Sequence, residues 1–133
     1  MFNQENKILQ AIQKFIRDTR DGTMTWDSVS KVPYSLSPSE QIKENSYVAS
    51  SQGRKIRFYK YFANEITPDG VTILTPHYRL EILSSETDKV QYSFPEYSAL
   101  GDLHDSITYK TSRMDDFFEN LLKGETNKDN DFV

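Results

Sequence analysis

The chain has 133 residues, a net charge of −4 and 36% hydrophobic residues. This length predicts one domain whose core is large enough to fold without disulfides or metal ions. The absence of cysteine excludes a disulfide framework, Cys-ligated zinc and a thiol nucleophile. No apolar run approaches the ~20 residues of a membrane span, and the start MFNQENKILQ lacks a signal-peptide pattern. We therefore expect a cytoplasmic protein with no membrane partner.

The first third of the chain predicts a helix, a strand and a long loop. Apolar side chains recur at helical spacing between residues 3 and 19, which indicates an amphipathic helix. Residues 24–31 predict the first strand, and we expect its Trp26 to pack on that helix; an exposed Trp that stacks on a ligand is the alternative. Residues 33–45 contain two prolines and predict a surface loop with a short helical turn from Ser39.

Alternating apolar and polar side chains then predict an antiparallel meander. Its clearest part is YRLEILSSETDKVQYSF, residues 78–94, which reads as two strands joined by a polar turn. Gln52-Gly53 is a hairpin signal, and the TPDG sequence ending at Gly70 matches a type I turn. The other strands are predicted at residues 47–51, 54–62 and 71–74, the last of them ended near Pro76.

The apolar spacing changes from strand-like to helical in the last third of the chain. A stripe of leucine and isoleucine predicts a helix with Ser98 as its N-cap. Ser112 and Asp115 have the spacing of a capping box, which predicts a second helix there, and Gly124 is expected to end it. Residues 125–133 predict a disordered acidic tail.

Together these elements predict one α+β domain over residues 1–124. It consists of an N-terminal helix, an antiparallel meander of five or six strands, and two C-terminal helices covering one face. The charge is unevenly placed along the chain. Six acids and two bases lie from Asp115 to the end, so this end accounts for the whole net charge of −4.

Three features of the chain together resemble small uncharacterised bacterial proteins, some of which occur in mobile-element settings. These features are the T-x-x-G-x-x-x-W pattern of residues 19–26, the YRLEI strand of residues 78–82, and Phe94-Pro95 before a Leu-rich helical end. The resemblance covers most of the chain and implies a bacterial, cytoplasmic protein without enzymatic activity. It assigns no catalytic residue.

The stretch RKIRFYKY, residues 54–61, combines four bases with three aromatic residues and no acid. Cations and aromatic rings on a sheet surface bind phosphates and stack on bases of single strands. The alternative is an ordinary sheet face whose tyrosines pack on cross-strand neighbours. Because the chain is acidic overall, nucleic-acid binding is the second hypothesis for function. Its candidate residues are Arg54, Arg57, Tyr59, Lys60 and Tyr61.

The sequence predicts no catalytic, metal or cofactor site. His77, His104 and Asp105 are the histidine-centred candidates, and a metal site needs three or four converging ligands. Adjacent residues on a helix point about 100° apart, so His104 and Asp105 do not form a pair. Phosphate-binding glycine loops and serine-nucleophile motifs are absent. A small enzyme that uses the 33–45 loop in a pocket is the third hypothesis, with no catalytic group assigned.

The first hypothesis is a non-enzymatic protein-interaction module. In the last helix, adjacent aromatic and leucine pairs make an apolar arc that is wider than a simple stripe. We expect part of this arc to face a partner, either another protein or a second copy that forms a homodimer. Its candidate contact residues are Phe117, Phe118, Leu121 and Leu122.

Overall fold

A computed structural model describes residues 4–131, with side chains described from residue 4 to residue 124. It confirms the predicted α+β class, with an N-terminal helix, an antiparallel sheet and two C-terminal helices. The helices are α1 (Gln4–Asp21), α2 (Ala99–Thr111) and α3 (Met114–Asp131). The strands are β1 (Asp27–Val29), β2 (Glu40–Gln41), β3 (Ser46–Ser51), β4 (Arg54–Ile66), β5 (Thr72–Leu83) and β6 (Val90–Ser93).

The sheet is the predicted antiparallel meander, in the order β1-β3-β4-β5-β6. Strands β4 and β5 are the longest and pair along their length, from Lys55 opposite Leu83 to Ile66 opposite Thr72. Strand β2 pairs with β4 further along the edge that β3 occupies, where Glu40 lies opposite Ala63. The β4–β5 hairpin is therefore the central element: β2, β3 and β6 pair with parts of it, and β1 pairs with β3.

Two tight turns set the register of the central strands. Gln52 and Gly53 both have positive φ, 52° and 72°, as a two-residue turn between right-twisted strands requires. At the other end of β4, the Gly70 N–H donates to the Thr67 carbonyl over 2.9 Å, closing the predicted turn. Both hairpin predictions are confirmed.

Helices α1 and α2 pack on one face of the sheet and enclose the apolar core. Trp26 contributes to this core, and its indole N–H donates to the Thr19 hydroxyl of α1 over 2.9 Å, so the predicted packing of Trp26 on the first helix is confirmed. Burying a large apolar side chain contributes about 1.5–3 kcal/mol to stability, which makes this core the main source of stability. The buried core residues are Ile12, Ile16, Met24, Trp26, Tyr47, Ala49, Ile56, Phe58, Leu80, Leu100, Leu103 and Ile107.

Two predictions about strands and one about the loop are wrong in detail. The first strand spans Asp27–Val29, shorter than the predicted 24–31. The loop forms no helical turn from Ser39, because Glu40 begins strand β2 there. Residues 71–74 are not a separate strand, since β5 continues through Pro76. Strand β6 pairs only with residues 81–83 of β5, so the same edge of β5 is unpaired at Pro76. The ring nitrogen of Pro76 lies on this unpaired edge, so the proline costs no hydrogen bond between strands.

The boundaries of α3 also differ from the prediction. The Ser112 hydroxyl donates back to the Thr108 carbonyl over 2.6 Å, so the expected capping box does not form. Arg113, with φ of 58°, separates the two helices instead. Gly124 does not end α3, which continues to Asp131. The predicted tail, 125–133, thus has helical backbone as far as Asp131, and residues 132 and 133 lie outside the described part.

The two C-terminal helices have different positions relative to the sheet. The apolar side chains of α2, including Leu100 and Leu103, are buried against the sheet and α1. Every side chain of α3 from Met114 to Gly124 is exposed, so α2 covers the sheet and α3 does not. Over residues 4–131, no helix combines the length and the apolar character needed to cross a membrane.

Candidate functional site

Helix α3 carries an exposed apolar stripe, defined here as Met114, Phe117, Phe118, Leu121 and Leu122. The spacing of these residues places them along one side of a helix with 3.6 residues per turn. Phe117, Leu121 and Leu122 are 55–59% exposed, and Phe118 is 46% exposed. The structure thus brings together the four residues that were predicted to bind a partner, on a surface open to solvent.

Polar contacts hold the first turn of α3 against the end of α2. The Tyr109 hydroxyl donates to the Asp115 carboxylate over 2.7 Å, and Lys110 donates to the same carboxylate over 3.3 Å. The hydrogen bond from Tyr109, followed by that from Lys110, lowers the pKa of Asp115. Arg113 pairs with Asp116 over 2.9 Å. The position of α3 is therefore set at its first turn, while the apolar stripe extends beyond it.

The border of the apolar stripe is acidic on one side. Asp115 and Glu119 each follow a stripe residue by one position, and because they are four residues apart they share a face of the helix. Lys123 lies further round the helix, on the side opposite the stripe. An apolar stripe with an acidic border is complementary to an apolar groove with basic residues at its rim.

The basic and aromatic residues of β4 do not form a single open surface. Arg57, Tyr59 and Tyr61 share a face of the sheet, as predicted, but they are only 6%, 0% and 8% exposed. Lys60 lies on the opposite face, with its ammonium 5.9 Å from the centre of the Tyr78 ring. Arg54, at the start of β4, is exposed and donates to Gln91. This arrangement does not favour stacking of bases on the tyrosines.

Residues 33–45, called the strap from here on, cover the buried basic and aromatic residues. The Ser35 hydroxyl lies 2.8 Å from the Tyr59 hydroxyl and donates to Glu81 over 3.1 Å. Glu81 also accepts two hydrogen bonds from Arg57, over 3.0 and 2.8 Å. Over the described residues, every buried side-chain polar atom has a hydrogen-bond partner.

Arg79 is the second anchor of the strap. Its two terminal nitrogens donate to the two carboxylate oxygens of Glu40, over 3.3 and 3.0 Å. The same guanidinium donates to the Tyr59 hydroxyl over 2.8 Å and lies over the Tyr61 ring, 4.2 Å from its centre. Burial opposes the charge of Arg79, but the hydrogen bonds to Glu40 and Tyr59 outweigh it and raise the pKa. Desolvation opposes the charge of Glu40, but the contacts from Arg79 and Ser37 together outweigh it and lower the pKa of Glu40.

His77 connects three segments at the end of the same face. Its Nε2 lies 2.8 Å from Glu65 on β4, and its Nδ1 lies 3.0 Å from Glu96, which follows β6. The ring stacks on Tyr61 with the centroids 5.4 Å apart. The hydrogen bond to Glu65, aided by that to Glu96, raises the pKa of His77 although burial opposes this. A protonated His77 donates to both carboxylates and links them.

The second histidine, His104, contacts an acidic residue of the strap. Nε2 of His104 lies 2.7 Å from Glu44, which ties α2 to the strap, while its Nδ1 lies 3.9 Å from Asp105. The part of the chain described by the structure holds no group of three acidic or histidine side chains that fits a metal ion. A shallow cleft of about 450 Å³ lies beside the base of α3, lined by Arg20, Asp105, Ser106, Tyr109, Lys110 and Asp115.

Comparison of the chain with known protein families, with characterised proteins and with solved structures found no match. The resemblance to small bacterial proteins therefore stays a prediction from the sequence. Sequence reasoning missed the contacts of Ser35 and Glu40 with the sheet. The available signal was that Arg79 and Glu81 share the predicted polar face of one strand. Charged side chains on a covered face require partners, and the strap supplies them.

Proposed function

We propose that this chain is a non-enzymatic protein-interaction module that binds a partner protein through the apolar stripe of α3. The observation that carries the proposal is the exposure of Phe117, Phe118 and Leu121, each 46–56% exposed on one side of a helix. Aromatic and leucine side chains at this spacing are the anchors of helices that bind in an apolar groove. The cysteine-free sequence fits a reducing compartment, so we propose a cytoplasmic location, which cell fractionation tests.

The exposed area favours a foreign partner over a second copy. Taking about 200 Å² for a large side chain, the stripe exposes about 500 Å² of apolar surface. A patch of about 300–600 Å² is the largest on a typical monomer and is often functional. Two stripes in contact would together bury less than the roughly 1,200 Å² at the lower limit of a stable interface, whereas a groove also covers the borders of the helix.

Charge supports the same choice of partner. The stripe lies at the end of the chain that carries the net charge of −4, so two copies brought together through it repel each other. A groove with lysine or arginine at its rim instead attracts Asp115 and Glu119. We therefore propose a partner whose groove is apolar inside and basic at the rim.

Two variants with the same change in charge test the proposal. Phe118→Asp places a carboxylate in the stripe, and Asn120→Asp places one on the opposite side of the same exposed helix turn. Each protein is immobilised and incubated with extract of the source cells, and the captured proteins are quantified. We expect at least one protein that the wild type and Asn120→Asp capture equally and that Phe118→Asp loses. Equal capture by all three proteins would contradict the proposal.

Light scattering over a range of concentrations separates foreign binding from self-association. We expect a monomer at low micromolar concentration for the wild type and for both variants. A wild-type dimer that Phe118→Asp abolishes would keep the stripe as the interaction surface but would identify a second copy as the partner. A dimer that persists in Phe118→Asp would assign self-association to another surface.

A further inference from the structure

The strap is held on the sheet mainly by polar contacts. Its Tyr34 side chain is 76% exposed, Leu36 and Ile42 are only partly buried, and Pro33 at its start is its one buried apolar residue. The contacts that fix it are those of Ser35 and Glu40 with the charged and hydroxyl groups of β4 and β5. Such contacts are exchangeable, because a second ligand with the same groups can replace them without exposing apolar core.

Residues 37–41 of the strap lie on the sheet as a bound peptide does. Glu40 and Gln41 form a short antiparallel strand against Ala63 and Phe62, at the edge of β4 that β3 leaves open. The Asn64 N–H adds a longer contact of 3.4 Å to the Ser39 carbonyl. Peptides that add a strand to a sheet combine main-chain pairing of this kind with a pocket for an alternate side chain.

The pocket for the side chain is formed by Arg79. Two parallel hydrogen bonds from one guanidinium to one carboxylate are a geometry specific for carboxylate or phosphate. Tyr61 stacks below the guanidinium and the Tyr59 hydroxyl accepts a hydrogen bond from it, so its orientation is independent of Glu40. A guanidinium oriented in this way is preorganised to bind a carboxylate.

We infer that the open edge of β4 together with Arg79 is a binding site for an extended acidic peptide, and that residues 37–41 occupy it within the same chain. The peptide pairs with Phe62 and Ala63 and places a glutamate or aspartate on Arg79. The tethered segment competes at an effective concentration of about millimolar, so the site is closed until the segment is displaced. This inference is independent of the stripe on α3.

The test uses a fluorescent peptide with the sequence of residues 35–43, SLSPSEQIK, and measures its binding by anisotropy. The protein is the full chain, either wild type or with Glu40→Gln, which weakens the tethered competitor at its carboxylate. Because a hydrogen bond to a charged group contributes about 1.5–3 kcal/mol, the variant is expected to bind the peptide about tenfold more tightly or better. Equal affinity of the wild type and Glu40→Gln would overturn the inference.

Four controls identify the source of a gain in affinity. Glu44→Gln removes the other strap glutamate, which contacts His104 instead of Arg79, and is expected to leave peptide affinity at the wild-type value. A peptide with glutamine in place of its glutamate is expected to lose the gain. Displacement of the peptide by excess inorganic phosphate would show a general anion site and overturn the assignment to a peptide. Adding Arg79→Lys to Glu40→Gln is expected to cancel the gain, with circular dichroism confirming that the double variant is folded.

Discussion

Glu81 and Arg57 form an ion pair in the interior of the protein, on the face of the sheet opposite α1 and α2. The Glu81 side chain is 1% exposed, and its Oε1 lies 2.8 Å from Nη2 of Arg57. Removing two charges from water is costly, and good geometry with additional hydrogen bonds compensates for that cost. The Ser35 hydroxyl of the strap supplies such a bond to Glu81. The strap therefore supplies one of the hydrogen bonds that stabilise the buried ion pair.

Breaking this pair is expected to destabilise the protein strongly. Arg57→Met leaves Glu81 buried without its partner, so the free energy of unfolding in urea is predicted to fall by about 3–5 kcal/mol. Arg54→Met, at the exposed start of the same strand, is the matched control and is expected to change it by less than about 0.5 kcal/mol. Equal effects of the two substitutions would show that the buried pair has no special role.

The contacts of His77 predict a dependence of stability on pH. The pKa of His77 is raised above its ordinary value of 6.5, chiefly by Glu65 and then by Glu96. Folding therefore favours the protonated ring, so its contribution is complete below pH 6.5 and is lost as the pH rises through the raised pKa. The difference in unfolding free energy between wild type and His77→Gln is therefore predicted to shrink as the pH rises.

The pH series is run between about pH 5.5 and pH 9, a range above the ordinary pKa of a glutamate side chain. Thr75→Val is the control, because the Thr75 hydroxyl donates to Glu65 but does not titrate. Its effect on stability is expected to be the same at every pH in the series. A constant difference between wild type and His77→Gln would mean that folding does not raise the pKa of His77.

The position of Gly124 inside α3 predicts the sign of a substitution. Alanine is more favourable than glycine within a helix by about 0.8–1.0 kcal/mol, so Gly124→Ala is expected to increase the helical signal in circular dichroism. Gly53→Ala is the contrasting variant, since φ of 72° at Gly53 disfavours any side chain, and it is expected to lower the unfolding free energy. A loss of helical signal in Gly124→Ala would restore the interpretation of Gly124 as the end of the helix.

The predictions that succeeded depend on local signals. The alternation in residues 78–94 and the glycines at 53 and 70 specify strands and turns within a few residues of themselves, and the structure has them there. The apolar stripe of α3 was also predictable from local sequence, because adjacent apolar pairs at helical spacing make an arc wider than a simple stripe. Whether a protein covers it is not a property of the chain alone.

The predictions that failed depend on contacts between distant parts of the chain. Ser35 is 46 residues from Glu81, and no local pattern shows that the strap lies on the polar face of the sheet. Without that contact, Arg57 and Tyr59 look like an open basic and aromatic surface. The predicted strand end near Pro76 failed for the same reason. A proline is tolerated in a strand when its ring nitrogen points to an unpaired edge, and that edge is known only once the strands are paired.

Photo-crosslinking from α3 tests the central claim most directly. A photoreactive amino acid is placed at Leu121, in the stripe, or at Asn120, which lies outside the stripe and points about 100° away from Leu121, and the protein is expressed in its source cells. We expect a discrete crosslinked product with another protein from position 121 and not from position 120. Equal crosslinking from both positions, or no product from position 121, would contradict the assignment of the stripe as a protein-binding surface.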